Sequence, residues 1–119
     1  MHEMSLATAL LEQVEQHLPT GAVLRHVYVK AGAMQAIEPD AMTWAWRALT
    51  DATRHDGAEL HLTIEPYRLA CPSCQRHWNS RDLYVSCACG YAQPRSIGES
   101  GITLLSVTVD EPNQQECMP

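Results

Sequence analysis

Four cysteines in the second half of the chain have the spacing of a metal-binding module. They form two close pairs, Cys71 with Cys74 and Cys87 with Cys89, and twelve residues separate the pairs. Two tight turns that each offer two thiolates to one ion are the layout of a zinc ribbon, and four thiolates match the closed tetrahedral site that Zn(II) prefers. A closed site has no position for water or substrate. We therefore expect a structural zinc site rather than a catalytic one.

The second pair leaves the ligand set open, because only one residue separates Cys87 from Cys89 where a ribbon turn usually has two. His77 or Cys117 could replace one thiolate. We favour Cys89, since Gly90 follows it directly and supplies the permissive backbone that such a turn needs. Unligated or redox-active thiols, with the first pair as a dithiol, are the other interpretation. We disfavour it because a redox pair normally opens a helix in a thioredoxin-like fold.

The first three residues, Met1-His2-Glu3, offer a second kind of metal chemistry. Because methionine aminopeptidases need a small second residue, His2 should preserve Met1 and with it a free terminal amine. That amine, the His2 main-chain nitrogen and the His2 imidazole can form fused chelate rings around one ion. Nitrogen donors in a planar array favour Ni(II) or Cu(II) over zinc. From the tripeptide alone, an exposed histidine with no metal role is the simpler interpretation.

Length and charge exclude several other classes of protein. The chain has 119 residues, enough for one domain or a small domain with an appended module. Its formal charge of -6 opposes nucleic-acid binding, which depends on basic side chains that neutralise phosphates. No apolar run approaches the ~20 residues of a membrane span, and the start lacks the features of a secretory signal. We expect a cytoplasmic protein without a nucleic-acid or membrane partner.

Hydrophobic periodicity predicts the elements that must position these residues. A helical stripe runs from Met4 to Leu18, and Glu38-Pro39-Asp40 has the composition of a second helix start, with Asp56-Gly57 as its end. Three strands are predicted at 23–30, 58–64 and 102–109, the first of them buried on much of both faces. A strand, a helix and a strand in succession favour a crossover, so the first two strands should be parallel.

The predicted fold class is therefore α/β, with two helices packed on a three-stranded mixed sheet and an inserted four-cysteine, zinc-ribbon-like module. We expect a nickel-binding α/β domain at residues 1–67 and 96–110 and a zinc-binding module at residues 68–95. Residues 111–119 are polar and end in proline, which predicts a flexible tail.

The remaining candidate residues carry no clear chemistry. His17, His26, His55 and His61 lie far apart in sequence rather than in metal-binding pairs, so we assign them no role. Trp44 and Trp46 are two positions apart on a predicted helix, so at most one belongs to the main core, and the other could anchor a partner or pack against the zinc module. We find no catalytic triad, carboxylate pair with a pocket or phosphate-binding loop, and therefore do not expect an enzyme.

Several segments together resemble one family. The chain opens with Met1-His2-Glu3-Met4-Ser5-Leu6, continues through Gly57-Ala58-Glu59-Leu60 to Pro66, and carries the cysteine module before a closing Leu104-Leu105-Ser106-Val107 strand. This combination resembles the HypA/HybF family of nickel metallochaperones over all but about the last ten residues. The chain departs from the family pattern in its shortened second cysteine pair.

The resemblance implies nickel delivery to the large subunit of [NiFe]-hydrogenase, acting with a HypB-type GTPase. It implies Ni(II) as the transported ion and Zn(II) as a structural one. A structural zinc-ribbon adaptor with no nickel role, which mediates protein-protein contacts, is the alternative. The family's site residues map onto Met1, His2 and Glu3 for nickel, Cys71, Cys74, Cys87 and Cys89 for zinc, and Glu38 or Asp40 for an acidic residue at the second helix.

Overall fold

The computed structural model describes residues 2–98 and 101–110, and within them it contains two α-helices, one short 3-10 helix and six strands. The helices are α1 (His2–His17) and α2 (Pro39–Thr50), and the 3-10 helix is Ala33–Gln35. The strands are β1 (Val23–Gly32), β2 (Glu59–Glu65), β3 (Tyr67–Ala70), β4 (His77–Ser80), β5 (Arg95–Ser96) and β6 (Ile102–Asp110). No helix among these residues is long and apolar enough to cross a membrane.

The chain divides into two compact units. The described part of the first unit is residues 2–29, 37–63 and 103–110, and that of the second is residues 30–36, 64–98 and 101–102. The domain limits predicted above remain a prediction, and the predicted tail at 111–119 lies outside the described residues.

One sheet has the order β2-β1-β6. His26 of β1 lies beside His61 of β2, and Lys30 lies beside Glu65, with 3.8 Å between the Lys30 Nζ and Glu65 Oε1 atoms. These contacts advance in the same direction on both strands, as parallel neighbours require. The prediction of parallel first and second strands therefore agrees with the contacts.

The other edge of β1 runs antiparallel to β6. The Arg25 guanidinium, near the start of β1, pairs with Asp110 at the end of β6, and the Gly32 N–H, at the end of β1, donates to the carbonyl of Gly101, just before β6. One parallel and one antiparallel neighbour make this a mixed sheet, and the predicted fold class is confirmed. A second sheet, with the order β4-β3-β5, is antiparallel and lies in the second unit.

Helix α1 buries one side, because its apolar residues recur three and four positions apart. Ala7, Leu10 and Val14 are buried, and α1 packs against α2. Leu24, Val27 and Val29 of β1 are buried as well. The prediction that β1 is buried on much of both faces is wrong for its middle, since Tyr28 is 36% exposed and lies between the buried Val27 and Val29. Successive side chains of a strand point to opposite faces, so this part of β1 is covered on one face only.

Helix α2 begins as its sequence predicts, because Glu38 is its N-cap and Pro39 occupies its first turn. It ends at Thr50 rather than near Gly57, so the predicted end is wrong. The backbone leaves helical conformation at Asp51, and Ala52 adopts a left-handed φ of +60°. A turn then runs to Gly57, whose φ of +86° permits the reversal into β2.

Candidate metal centres

The first cysteine pair is held by a turn that follows β3. The Cys71 N–H donates to the Arg76 carbonyl at 2.9 Å, and the Gln75 N–H donates to the Cys71 carbonyl at 2.8 Å. Gln75 has a left-handed φ of +65°, which closes the turn. The Cys74 N–H points at the Cys71 Sγ atom at 3.5 Å, so a backbone donor supports negative charge on that sulfur.

The second cysteine pair is held by a shorter turn. The Cys87 N–H donates to the Tyr91 carbonyl, and the Gly90 N–H donates to the Cys87 carbonyl, each at 2.9 Å. Gly90 has a φ of +100°, a conformation that side chains disfavour. The single residue between Cys87 and Cys89 is therefore accommodated by the left-handed glycine that follows, as the sequence predicts.

The two turns bring all four sulfurs together. The Sγ atoms of Cys71 and Cys89 are 3.6 Å apart, those of Cys74 and Cys87 are also 3.6 Å apart, and all four lie within 4.8 Å of one another. A tetrahedral ion with Zn–S bonds of ~2.3 Å requires sulfurs about 3.8 Å apart. The donor set and its spacing therefore suit a structural zinc ion.

The thiols differ in how readily they ionise. Burial raises the pKa of Cys71, but the N–H groups of Cys74 and Ser73 and the neighbouring thiols outweigh it and lower that pKa to about 7. At Cys89 a backbone hydrogen bond from Tyr91 lowers the pKa, while the nearby thiols and burial raise it to about 11. Neighbouring sulfurs oppose ionisation of Cys89, and a bound cation would offset that opposition.

The structure bears differently on the three alternatives to a four-cysteine zinc site. His77 is the first residue of β4, is exposed, and is not part of the group of four sulfurs. Cys117 lies outside the described residues. The first cysteine pair follows a strand and opens no helix, unlike the redox motif considered above.

The first turn of α1 contacts the start of α2. Helix α1 begins at His2, and the Glu3 carboxylate accepts a hydrogen bond from the Glu38 N–H at 3.0 Å. The Glu38 carboxylate in turn accepts from the N–H groups of Asp40 and Ala41, at 3.3 and 2.7 Å. The Glu38 N–H is the main reason that the pKa of the Glu3 carboxyl is lowered, which keeps it ionised. Met1, the remaining predicted nickel ligand, lies outside the described residues.

The structure also brings together residues to which the sequence assigned no role. His26 of β1 meets Glu59 and His61 of β2, and their three ligand atoms lie within 4.8 Å of one another. His26 and His61 are 35 positions apart, so no local motif joins them. The predicted parallel pairing puts these residues on neighbouring strands, but the sequence does not fix the register that brings them together.

Two other predictions are resolved by burial. Trp46 is buried and donates from Nε1 to the Ala58 carbonyl at 3.1 Å, whereas Trp44 is 72% exposed. As predicted, one of these tryptophans belongs to the core. His55, to which the sequence assigns no role, is buried, and its Nδ1 accepts from the Leu24 N–H at 3.2 Å.

Comparison with known proteins gives matches to one family. The family model described as "Hydrogenase/urease nickel incorporation, metallochaperone, hypA" matches residues 1–109. A hydrogenase maturation factor HypA from Shewanella sp. (strain MR-7) is 28% identical over 118 residues, with 96% of this chain and 99% of the relative covered. The corresponding factor from Streptomyces avermitilis is 30% identical over 112 residues, covering 90% of this chain and 86% of the relative.

A solved structure supports the same fold. The solution structure of the Ni metallochaperone HypA from Helicobacter pylori matches with a TM-score of 0.57 at 21% identity. The match covers 90% of this chain and 96% of that chain, so the similarity extends over both units.

Proposed function

The chain belongs to the HypA family of hydrogenase and urease nickel-incorporation metallochaperones, and from that premise we propose that it binds Ni(II) at its N-terminus and delivers it to the large subunit of a [NiFe]-hydrogenase. The observation that supports this proposal is the contact between the Glu3 carboxylate and the Glu38 N–H, which brings Glu3, one of the proposed nickel ligands, to the acidic start of α2.

The proposed nickel ligands are the terminal amine of Met1, the His2 imidazole, and the main-chain nitrogens of His2 and Glu3. The first four N–H groups of any helix lie outside its own hydrogen-bond ladder, so metal binding here does not require α1 to unwind further along. Main-chain nitrogens must lose a proton to bind a metal. Nearby carboxylates favour this step indirectly, because they stabilise the positive metal ion. Glu38 and Asp40 supply that negative charge at the start of α2.

Delivery is proposed to occur by ligand exchange. A planar nitrogen site is open on both faces, so a thiolate from the client protein can bind nickel before the chaperone nitrogens leave. The ion then never has to be free in solution. The Trp44 side chain is exposed in a shallow apolar groove that Glu3 and Met4 also line. A partner protein could dock on this apolar surface, close to the proposed nickel ligands.

The partners proposed are a HypB-type GTPase and the hydrogenase large subunit, and the proposed location is the cytoplasm. We propose Cys71, Cys74, Cys87 and Cys89 as the ligands of a structural Zn(II), which would stabilise the second unit. In this proposal the chain performs no catalysis itself, so any GTP hydrolysis comes from the partner.

The test is a nickel titration of three proteins: the unmodified chain, the chain with Gly-Ser added before Met1, and the His2→Ala variant. We expect one tightly bound nickel in the unmodified chain and loss of tight binding in both others, with zinc content unchanged. His17→Ala is a matched control, since His17 is an exposed histidine at the other end of α1.

Equal nickel binding by the extended and unmodified chains would refute the terminal amine as a ligand. A chain that binds zinc alone, with no nickel in any form, would instead support the zinc-ribbon adaptor. X-ray absorption at the nickel edge provides a second test, because a sulfur-dominated shell would place nickel at the cysteines.

A further inference from the structure

A second group of metal-binding side chains lies in the first unit, on β1 and β2. The His26 Nδ1 and His61 Nε2 atoms are 3.0 Å apart. A carboxylate oxygen of Glu59 lies 3.6 Å from the His26 nitrogen and 3.7 Å from the His61 nitrogen. The three ligand atoms thus form a nearly equilateral triangle, with no cysteine involved.

The strands explain why these side chains meet. Glu59 and His61 are two positions apart on β2, so their side chains leave the same face of the sheet. His26 reaches them from the neighbouring strand β1. All three side chains are partly exposed, His26 by 38%, His61 by 42% and Glu59 by 65%, so an ion can reach them from solvent.

The size of the triangle matches a metal coordination sphere. For side lengths of 3.0, 3.6 and 3.7 Å, an ion about 0.7 Å above the plane of the three atoms is about 2.1 Å from each of them, the length of a Zn–N or Zn–O bond. Three ligands of a tetrahedral ion lie at nearly this spacing, whereas three facial ligands of an octahedral ion lie closer together. We propose that His26, Glu59 and His61 form a surface site for a divalent transition-metal ion, best suited to Zn(II), with its fourth position open to solvent.

An aromatic neighbour orients one of the ligands. The Tyr28 ring stacks on the His61 ring, with centroids 4.6 Å apart and an interplanar angle of 10°. This stacking restricts rotation of the imidazole and holds its Nε2 atom towards His26. Tyr28 is therefore a positioning residue, and its ring rather than its hydroxyl is the required part.

The site differs in chemistry from both centres described above. Its two imidazoles and one carboxylate are harder donors than four thiolates, and an open position permits exchange of the ion. It uses no atom of the chain start, so it does not depend on the proposed nickel function.

The test uses the chain with the Gly-Ser extension before Met1, already loaded with one zinc at the cysteines. Zn(II) is titrated against a competing chromophoric chelator. We expect the chain to bind a second zinc equivalent, and its affinity should fall by at least ~10–100-fold in the His26→Gln/His61→Gln variant. Loss of a residue that only hydrogen-bonds to a ligand already costs this much affinity, and loss of a ligand should cost no less. His17→Gln is the control for a histidine loss. Glu59→Gln should also weaken the second zinc, and Glu65→Gln is its matched control.

Two further measurements separate a metal site from a structural histidine pair. Ring nitrogen signals of His26 and His61 in NMR spectra should shift with the second zinc equivalent, while those of His17 stay in place. Tyr28→Ala should weaken the second zinc and Tyr28→Phe should restore it. The absence of a second equivalent, or its retention in the double histidine variant, would overturn the proposal, and neither result bears on nickel binding at the chain start.

Discussion

The short cysteine pair allows a sharp test of the zinc site, the Cys89→Ser substitution. The described part of the second unit buries very few side chains: Ala31, Leu69, Cys71 and Cys87. Burying a leucine contributes only ~1.5–3 kcal/mol, whereas a structural zinc ion contributes an apparent ~10–16 kcal/mol at neutral pH. We therefore expect the metal, rather than an apolar core, to stabilise this unit.

We expect Cys89→Ser to reduce zinc from one ion per chain to well below one after dialysis against a weak chelator. The β4-β3-β5 sheet should then lose its dispersed amide signals in NMR spectra, because strands of four, four and two residues cannot hold together alone. Signals of α1 and α2 should persist, since their core is separate from the sulfurs.

Cys117→Ser is the matched control. It also removes a thiol, but Cys117 is not in the favoured ligand set and is considered only as a substitute ligand. Full zinc content in Cys89→Ser together with zinc loss in Cys117→Ser would refute the assignment of Cys89. Zinc loss with an intact second sheet would refute the claim that the metal stabilises the unit.

Three predictions concern the first unit. Glu38→Ala should destabilise the chain by about 1 kcal/mol in urea unfolding, because it removes the cap of α2. Trp46→Phe should cost about 1–3 kcal/mol by the same measurement, since the buried Ala58 carbonyl loses its donor. Burial lowers the pKa of His55, so its neutral form is favoured on folding. Stability should therefore be full above pH ~6.5 and fall below it, by at most ~1.4 kcal/mol per pH unit, until the lowered pKa is reached. His55→Asn, which keeps an acceptor for the Leu24 N–H, should reduce this slope.

Each of these predictions has a result that contradicts it. Unchanged unfolding of Glu38→Ala would mean that solvent satisfies the helix start equally well. Unchanged stability of Trp46→Phe would mean that the indole hydrogen bond contributes nothing net. An unaltered pH slope in His55→Asn would assign the acid sensitivity to other groups.

Local signals in the sequence were sufficient to predict the helix start and the metal-binding turns in which they lie. The start of α2 follows from Glu38 and Pro39, because a capping side chain and a proline act within one turn. The cysteine module follows from ligand spacing, because the geometry of a tetrahedral ion restricts which spacings can serve it. The end of α2 was placed too late, since nothing in the composition reveals that Ala52 adopts a left-handed backbone conformation.

Contacts between distant segments were beyond the same methods. The pairing of His26 with His61 depends on the register between β1 and β2, and hydrophobic alternation gives the faces of each strand without fixing that register. The contact between Glu3 and Glu38 depends on how α1 packs against α2. Periodicity identifies which side of a helix is buried but not its rotation or height against a neighbour.

The crossed arrangement of the sulfurs has a practical consequence for handling the protein. Each 3.6 Å contact joins a thiol of one turn to a thiol of the other, and each joins a buried cysteine to an exposed one. If the metal is stripped in air, dissolved oxygen can take two electrons and two protons from each such contact. The resulting disulfides, Cys71 to Cys89 and Cys74 to Cys87, would cross-link the two turns covalently and prevent metal rebinding until a reductant is added.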